Sequence, residues 1–252
     1  MNAPATDAML HVHDLYKIHA GTGEDHPVLR GVSFDVARGE FICIMGPSGS
    51  GKTTLLHLLS GLDEPSAGAV VLAGEDLARA PEAERTARRR DQVGYVFQFF
   101  HLMPNLSVEE NIGLPVAIAG HDPDRESERI RELAAKLGIE DRLRAFPHEL
   151  SGGEMQRASI ARALIGGQPL LLCDEPTGNL AQAAGREVME ELRRACDEDG
   201  RTVVLVTHNP RDATFADRVL FLVDGEIRPD GELTGPGIGE AEITTALSRL
   251  SI

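Results

Sequence analysis

Residues Gly46-Pro47-Ser48-Gly49-Ser50-Gly51-Lys52-Thr53 fit the pattern G-x-x-x-x-G-K-[ST] at every fixed position. The glycines let the backbone curl until its N–H groups point inward at phosphate oxygens. A helix beginning at Lys52 adds the positive end of its dipole. Lys52 brings a point charge to the β- and γ-phosphates. Thr53 can give a hydroxyl oxygen to Mg²⁺, and Thr54 follows it in the same turn. The context fits the pattern. Residues 41–45 form a continuous apolar run that reads as a buried strand, and 52–60 reads as a helix ended by Gly61.

Further along, Leu170-Leu171-Leu172-Cys173 is a second apolar strand, and it ends in Asp174 and Glu175. Parallel strands present their carboxyl ends to the ligand crevice. Asp174 can there hold Mg²⁺, and Glu175 can orient or deprotonate an attacking water. Between these two stretches lies Leu150-Ser151-Gly152-Gly153-Glu154, followed by a helix to residue 165. Ser151 and Glu154 have capping-box spacing. Gly152 and Gly153 open the backbone to close anion approach, which makes this a second phosphate-binding helix start.

Leu-Ser-Gly-Gly-Glu between a phosphate loop and a Leu-Leu-Leu-Cys-Asp-Glu-Pro strand resembles the signature arrangement of ABC ATPases. The resemblance covers residues 10–226. It implies ATP and Mg²⁺ as ligands. Gln98, after the strand 93–97, stands where the family has its Q-loop glutamine, which senses Mg²⁺ and the transport partner. His208, after 203–207, stands at the switch histidine that contacts the γ-phosphate. The resemblance further implies that two such domains, identical or not, face each other head to tail. ATP then lies between the phosphate loop of one and the signature serine and glycines of the other, and closure drives transmembrane partner subunits. Residues 44–55, 96–104 and 174–180 are similar to the lipoprotein-release and macrolide-export type. Those systems handle lipids, lipoproteins, peptides or hydrophobic compounds. Other relatives drive a membrane complex without moving a solute, and the sequence leaves both readings open.

Three positions depart from the family pattern. His19 falls where an aromatic residue usually stacks on adenine, with Tyr16 three residues early. Ala181 replaces the usual aspartate after Gly178-Asn179-Leu180, in the loop that touches the opposite chain. Met155 replaces a frequent glutamine.

The rest of the chain agrees. Strands alternating with helices indicate an α/β fold, and the resemblance makes it a P-loop NTPase core. The expected parts are a mostly parallel sheet, an N-terminal antiparallel β portion and a helical subdomain. The alternating runs 10–15 and 32–36 flank a loop over 20–27. Strands are expected at 69–72, 93–97 and 202–206, with a hairpin at 219–227. Ser107 and Glu110 form a capping box before a helix over 111–119; 123–136 and 183–197 also read as helical. The expected division is an ATPase domain over 1–228, with the helical subdomain at about 99–165, and a tail over 229–252 with a short helix at 240–250.

A formal net charge of -15 over 252 residues excludes nucleic acid as the main ligand. The basic run Arg88-Arg89-Arg90 lies among Glu82, Glu84 and Asp91 and reads as a solvated helix face. Cys43, Cys173 and Cys196 form no C-x-x-C pair; Cys43 and Cys173 lie in apolar strand-like runs and read as core thiols, which fits a reducing cytosol. Residues 1–9 lack the pattern of a secretory signal, and no apolar run approaches the ~18 residues of a membrane span. The expected location is cytoplasmic, peripheral on the inner or plasma membrane.

Overall fold

The computed structural model describes residues 8–19, 26–77, 80–250 and 252. The reading of 1–9 as free of a secretory signal lies outside the described residues except at Ala8 and Met9, as do residues 20–25 of the expected loop over 20–27. In chain order the elements are β1 (Ala8–His19), β2 (His26–Ala37), β3 (Phe41–Met45), α1 (Lys52–Ser60), β4 (Ala67–Leu72), β5 (Glu75–Asp76), α2 (Glu82–Gln92) and β6 (Val93–Val96). Then come α3 (Val108–Ile118), α4 (Ser127–Lys136), α5 (Gly152–Leu164), β7 (Leu170–Asp174), α6 (Gln182–Asp197), β8 (Thr202–Thr207) and α7 (Pro210–Ala213). The chain closes with β9 (Arg218–Val223), β10 (Glu226–Ile227), β11 (Leu233–Thr234) and α8 (Glu240–Arg249).

Two sheets form. The first is antiparallel, in the order β2-β1-β4-β5. The second runs β10-β9-β3-β8-β7-β6, with β11 also on β9. Strands β9, β3, β8, β7 and β6 are mutually parallel, and only β10 and β11 run against them. The parallel strands are apolar throughout because helices or the first sheet cover both faces. On β3, Phe41, Cys43 and Met45 enter a core shared with α3, α5 and α6, whereas Ile42 and Ile44 enter one shared with α1 and the antiparallel sheet. All three cysteines are buried and free. Burial raises each thiol, Cys196 to about 11, so none is a ready nucleophile.

Several expected elements grow at their ends. The strand expected over 10–15 extends to Ala8–His19. A bulge hides that length in the sequence: the registers on both sides of β1 slip next to Asp14, which has φ 47°, so the period-2 pattern breaks there. The basic run lies on α2, a helix with no buried residue. Arg89 donates to the Gly61 carbonyl at 2.9 Å and Arg90 pairs with Asp91 at 2.7 Å. Residues 229–252 attach to the core. β11 pairs with β9, α8 packs on α7, and Ile243 and Ala246 are buried.

Candidate functional site

The carboxyl ends of β3, β7 and β8 open into a cleft of about 680 Å³. Its wall carries Gly46, Pro47, Ser48, Gly49, Gly51, Lys52, Thr53 and Thr54, together with Gln98, Asp174, Glu175 and His208. Residues separated by as much as 162 positions in sequence therefore share one crevice, in the place a parallel sheet reserves for ligands.

The loop between β3 and α1 is shaped by backbone demands. A Cβ on Gly46 would lie 2.1 Å from the Leu222 carbonyl oxygen, so no other residue fits. Gly49 and Gly51 sit at φ 82° and 103°, where glycine is the unstrained choice. Lys52 is buried, and its Nζ donates to the carbonyls of Gly46 at 2.8 Å and Pro47 at 3.0 Å. Burial holds its pKa below the usual lysine value, against the carboxylates of Glu175 and Asp174. Ser50 Oγ is buried and has no hydrogen-bond partner among the described residues. A curled loop, a positive helix start and a cation turned into the loop form a donor set suited to a polyphosphate.

Opposite stand the carboxylates. Thr53 Oγ1 donates to Asp174 Oδ1 at 3.3 Å, placing two oxygen ligands side by side. Burial raises the Asp174 pKa; the Thr53 hydroxyl opposes it. Neighbouring strand residues normally face opposite sides, yet Asp174 and Glu175 both line the cleft. The cause is the left-handed φ of 44° at Glu175, which turns the chain as β7 ends. Its N–H remains tied to the Val206 carbonyl at 3.0 Å. The Glu175 carboxylate accepts from Thr207 Oγ1 at 3.1 Å and lies 2.8 Å from His208 Nδ1. Hard oxygen donors from Thr53 and Asp174, with Gln98 beside them in the wall, match what Mg²⁺ takes.

Beneath this cleft is a cluster that the sequence reading missed. The buried Asp212 accepts from Thr177 Oγ1 and from Asn209 Nδ2 at 3.0 Å, and Thr207 Oγ1, whose proton is shared with the closer Glu175, lies 3.5 Å from it. Burial raises its pKa, opposed by those hydrogen bonds. Asn209-Pro210 is a helix-start signal, and Asn209 does cap α7. That signal marks the helix and gives no hint of Thr177, 35 residues away. Val28, Leu247 and Ile252 also line the cleft, and no local pattern announces them.

Ser151, Gly152, Gly153 and Glu154 are not in their own chain's cleft. Gly152 lies beside Asn179 and Leu180, and Gly153 beside Ala184. The capping box forms as the sequence suggests. Ser151 Oγ also donates to Glu154 Oε2 at 2.7 Å, and Arg142 Nε donates to Oε1 at 2.7 Å. Donation from Ser151, backbone first, together with Arg142, lowers the Glu154 pKa to about 2. His19 is exposed at the end of β1, opposite His26, and does not line the cleft. Ala181 is the N-cap of α6 and supplies no side-chain cap.

The ABC transporter family profile matches residues 29–178. The chain is 44% identical over 222 residues to the lipoprotein-releasing system ATP-binding protein LolD 2 of Caulobacter vibrioides, a match covering 88% of this chain and 97% of that protein. It is 43% identical to the ABC transporter ATP-binding protein YxdL of Bacillus subtilis, over 87% of this chain and 85% of that one. It is 42% identical to the macrolide export ATP-binding/permease protein MacB of Shigella flexneri, over 87% of this chain but 34% of that longer protein. Among solved structures, the dimeric ATP-binding cassette MJ0796 bound to ADP and Pi superposes with a TM-score of 0.81 at 36% identity, covering 90% of this chain and 98% of that one. With the loop 46–51, Lys52, Asp174, Glu175 and His208 in one cleft, and with these relatives, the chain belongs to the ABC transporter family as an ATP-binding, ATP-hydrolysing subunit.

Proposed function

We propose that this subunit powers a membrane complex that extracts or exports a lipid, lipoprotein, peptide or hydrophobic compound. The observation that carries the ATPase part is the convergence of Lys52, Thr53, Gln98, Asp174, Glu175 and His208 on one cleft. The class of cargo rests on the names of the LolD and MacB relatives. In this reading the loop 46–51, Lys52 and Thr54 bind the phosphates. Thr53, Asp174 and Gln98 hold Mg²⁺, which draws charge from the phosphate oxygens when bound. Glu175 takes the proton of the attacking water, and His208 keeps Glu175 oriented and reaches the γ-phosphate. Ser151, Gly152, Gly153 and Glu154 act on the nucleotide of a second copy or a paired ATPase, which fits their position outside their own cleft. His19 enters as the adenine platform through the resemblance alone.

The ATPase domain spans 1–228 with a helical subdomain at about 99–165, and β11 and α8 fasten the tail 229–252 to it. Among the described residues no helix is long and apolar enough to cross a membrane. In this reading, which rests on the likeness to LolD and MacB, a transmembrane subunit holds the chain peripherally at the cytoplasmic face. Its contact surface is the segment 99–108, where Phe99 and Met103 are 66% and 43% exposed. Exposed apolar groups of this size beside Gln98 suit a partner. Asn105 is exposed, so a photo-crosslinker on Asn105→Cys in the membrane-assembled complex is expected to label a cytoplasmic loop of the transmembrane subunit. Labelling of solvent or lipid alone would remove this surface. Identifying a partner without a path or cavity for cargo would replace transport with purely mechanical drive.

A further inference from the structure

We infer that Arg162 is a positioning residue for Gln98: its guanidinium grips the Phe100 and His101 carbonyls and so ties the segment 98–101 to α5. This rests on the proposed role of Gln98 at Mg²⁺.

Phe100 and His101 both have positive φ, 58° and 48°. Two successive non-glycine residues in the left-handed region are costly and persist only where the surroundings over-determine them. The surroundings here are Arg162, one of whose amino groups donates to the His101 carbonyl at 2.5 Å and the other to the Phe100 carbonyl at 2.8 Å. Among the described residues no carboxylate pairs with Arg162. Its remaining contact is Ser159 Oγ at 3.4 Å on its own helix. A half-buried guanidinium without a counter-ion has one evident employment, which is to hold that strained backbone. Burial lowers its pKa, as expected of a charge answered by neutral oxygens.

The other side of Gln98 is fastened too. Its carbonyl accepts from Asn179 Nδ2 at 2.9 Å. Its Nε2 lies so near Gly178 that a Cβ there would be only 3.2 Å away. Gln98 is thus strung between the turn that follows Glu175 and a clamp on α5. The same helix starts with Gly152 and is capped by Ser151. A shift of α5 must pull on Gln98 through the Arg162 fork. Lysine cannot reproduce that fork, because a point charge serves one carbonyl well but not two in fixed directions.

The test uses the full chain with Arg162→Gln and Arg162→Lys. For Arg162→Gln we expect kcat to fall about 10-fold while the KM for ATP stays within about 2-fold, since a misplaced group slows chemistry more than binding. Half-saturation should need more Mg²⁺. Amide exchange without nucleotide should quicken at residues 98–103 and nowhere else. Adding Phe100→Gly and His101→Gly should restore part of kcat, because glycine adopts the left-handed region freely. Arg162→Lys should fall between, and it decides the matter if Arg162→Gln does not fold. Unchanged Mg²⁺ dependence with unchanged exchange would overturn the inference. So would a loss of kcat that tracks a lowered melting temperature and is not recovered by the glycines. A normal Mg²⁺ response in Gln98→Ala would instead overturn the reading of Gln98, while the exchange data still report on the clamp.

Discussion

His208 Nδ1 stands 2.8 Å from one oxygen of Glu175, and the other oxygen accepts from Thr207 Oγ1 at 3.1 Å and from the His208 N–H at 3.4 Å. These three contacts fix the direction of the carboxylate, and a fixed polar group needs little reorganisation at the moment of reaction. Glu175→Gln keeps the shape and cannot accept the proton. ATP binding should persist while turnover falls about 10²- to 10⁴-fold, and an ATP-bound dimer should accumulate on gel filtration. Turnover at the parent rate would remove Glu175 from the chemistry.

Lys52→Ala removes a buried charge that the proposed function assigns to the phosphates. Losing such a charge-assisted contact costs about 2 kcal/mol or more, or about 30-fold in ATP affinity. Because burial depresses the lysine pKa, the free protein loses this charge at lower pH than an ordinary lysine would. ATP affinity should accordingly decline on the alkaline side starting below the usual lysine range, and Lys52→Ala should lack that limb. Titration calorimetry across pH reads both.

Asp174 sits in the opposite electrostatic position. Burial raises its pKa, so the folded chain favours the protonated acid. That contribution is present below the ordinary aspartate value of 3.8 and is lost as pH rises through the raised one. At neutral pH the ionised carboxylate therefore works against the fold. Asp174→Asn should raise the melting temperature of the nucleotide-free chain at pH 7, with the gain shrinking toward acid pH. Mg²⁺-dependent turnover should disappear. A lowered melting temperature would show that the Thr53 hydrogen bond outweighs desolvation.

Ala181 begins α6 in an extended conformation, with φ -62° and ψ 149° and no side-chain cap. Ala181→Asp and Ala181→Asn should each add about 1 kcal/mol of stability by accepting from the first-turn N–H groups. Only aspartate carries the charge that could also serve the opposite chain. A faster ATPase with aspartate but not asparagine, at equal ATP affinity, would assign the rate to that carboxylate. Equal rates in both would make capping the whole effect.

The nucleotide loop and α1 were legible because local backbone chemistry determines them. Gly51 and Gly61 flank the helix in left-handed conformations, at φ 103° and 69°, and the expected limits 52–60 are the observed ones. The Ser107–Glu110 and Ser151–Glu154 boxes are equally local. What escaped the sequence depends on distant partners. Asp212 finds Thr177 and Arg162 finds Phe100 only after the sheet has closed, and neither pair has a spacing that recurs in sequence. The length of β1 was hidden for another reason, since the bulge at Asp14 breaks the alternation on which strand reading relies.

The buried Asp212 has one further consequence. Through Thr177, Thr207 and Asn209 it joins the turn after β7, the last residue of β8 and the start of α7. Thr177 lies four residues before Ala181, and Thr207 directly precedes His208. One buried carboxylate thus ties three separate segments together, so Asp212→Ala would loosen all three at once and leave their donors unpaired.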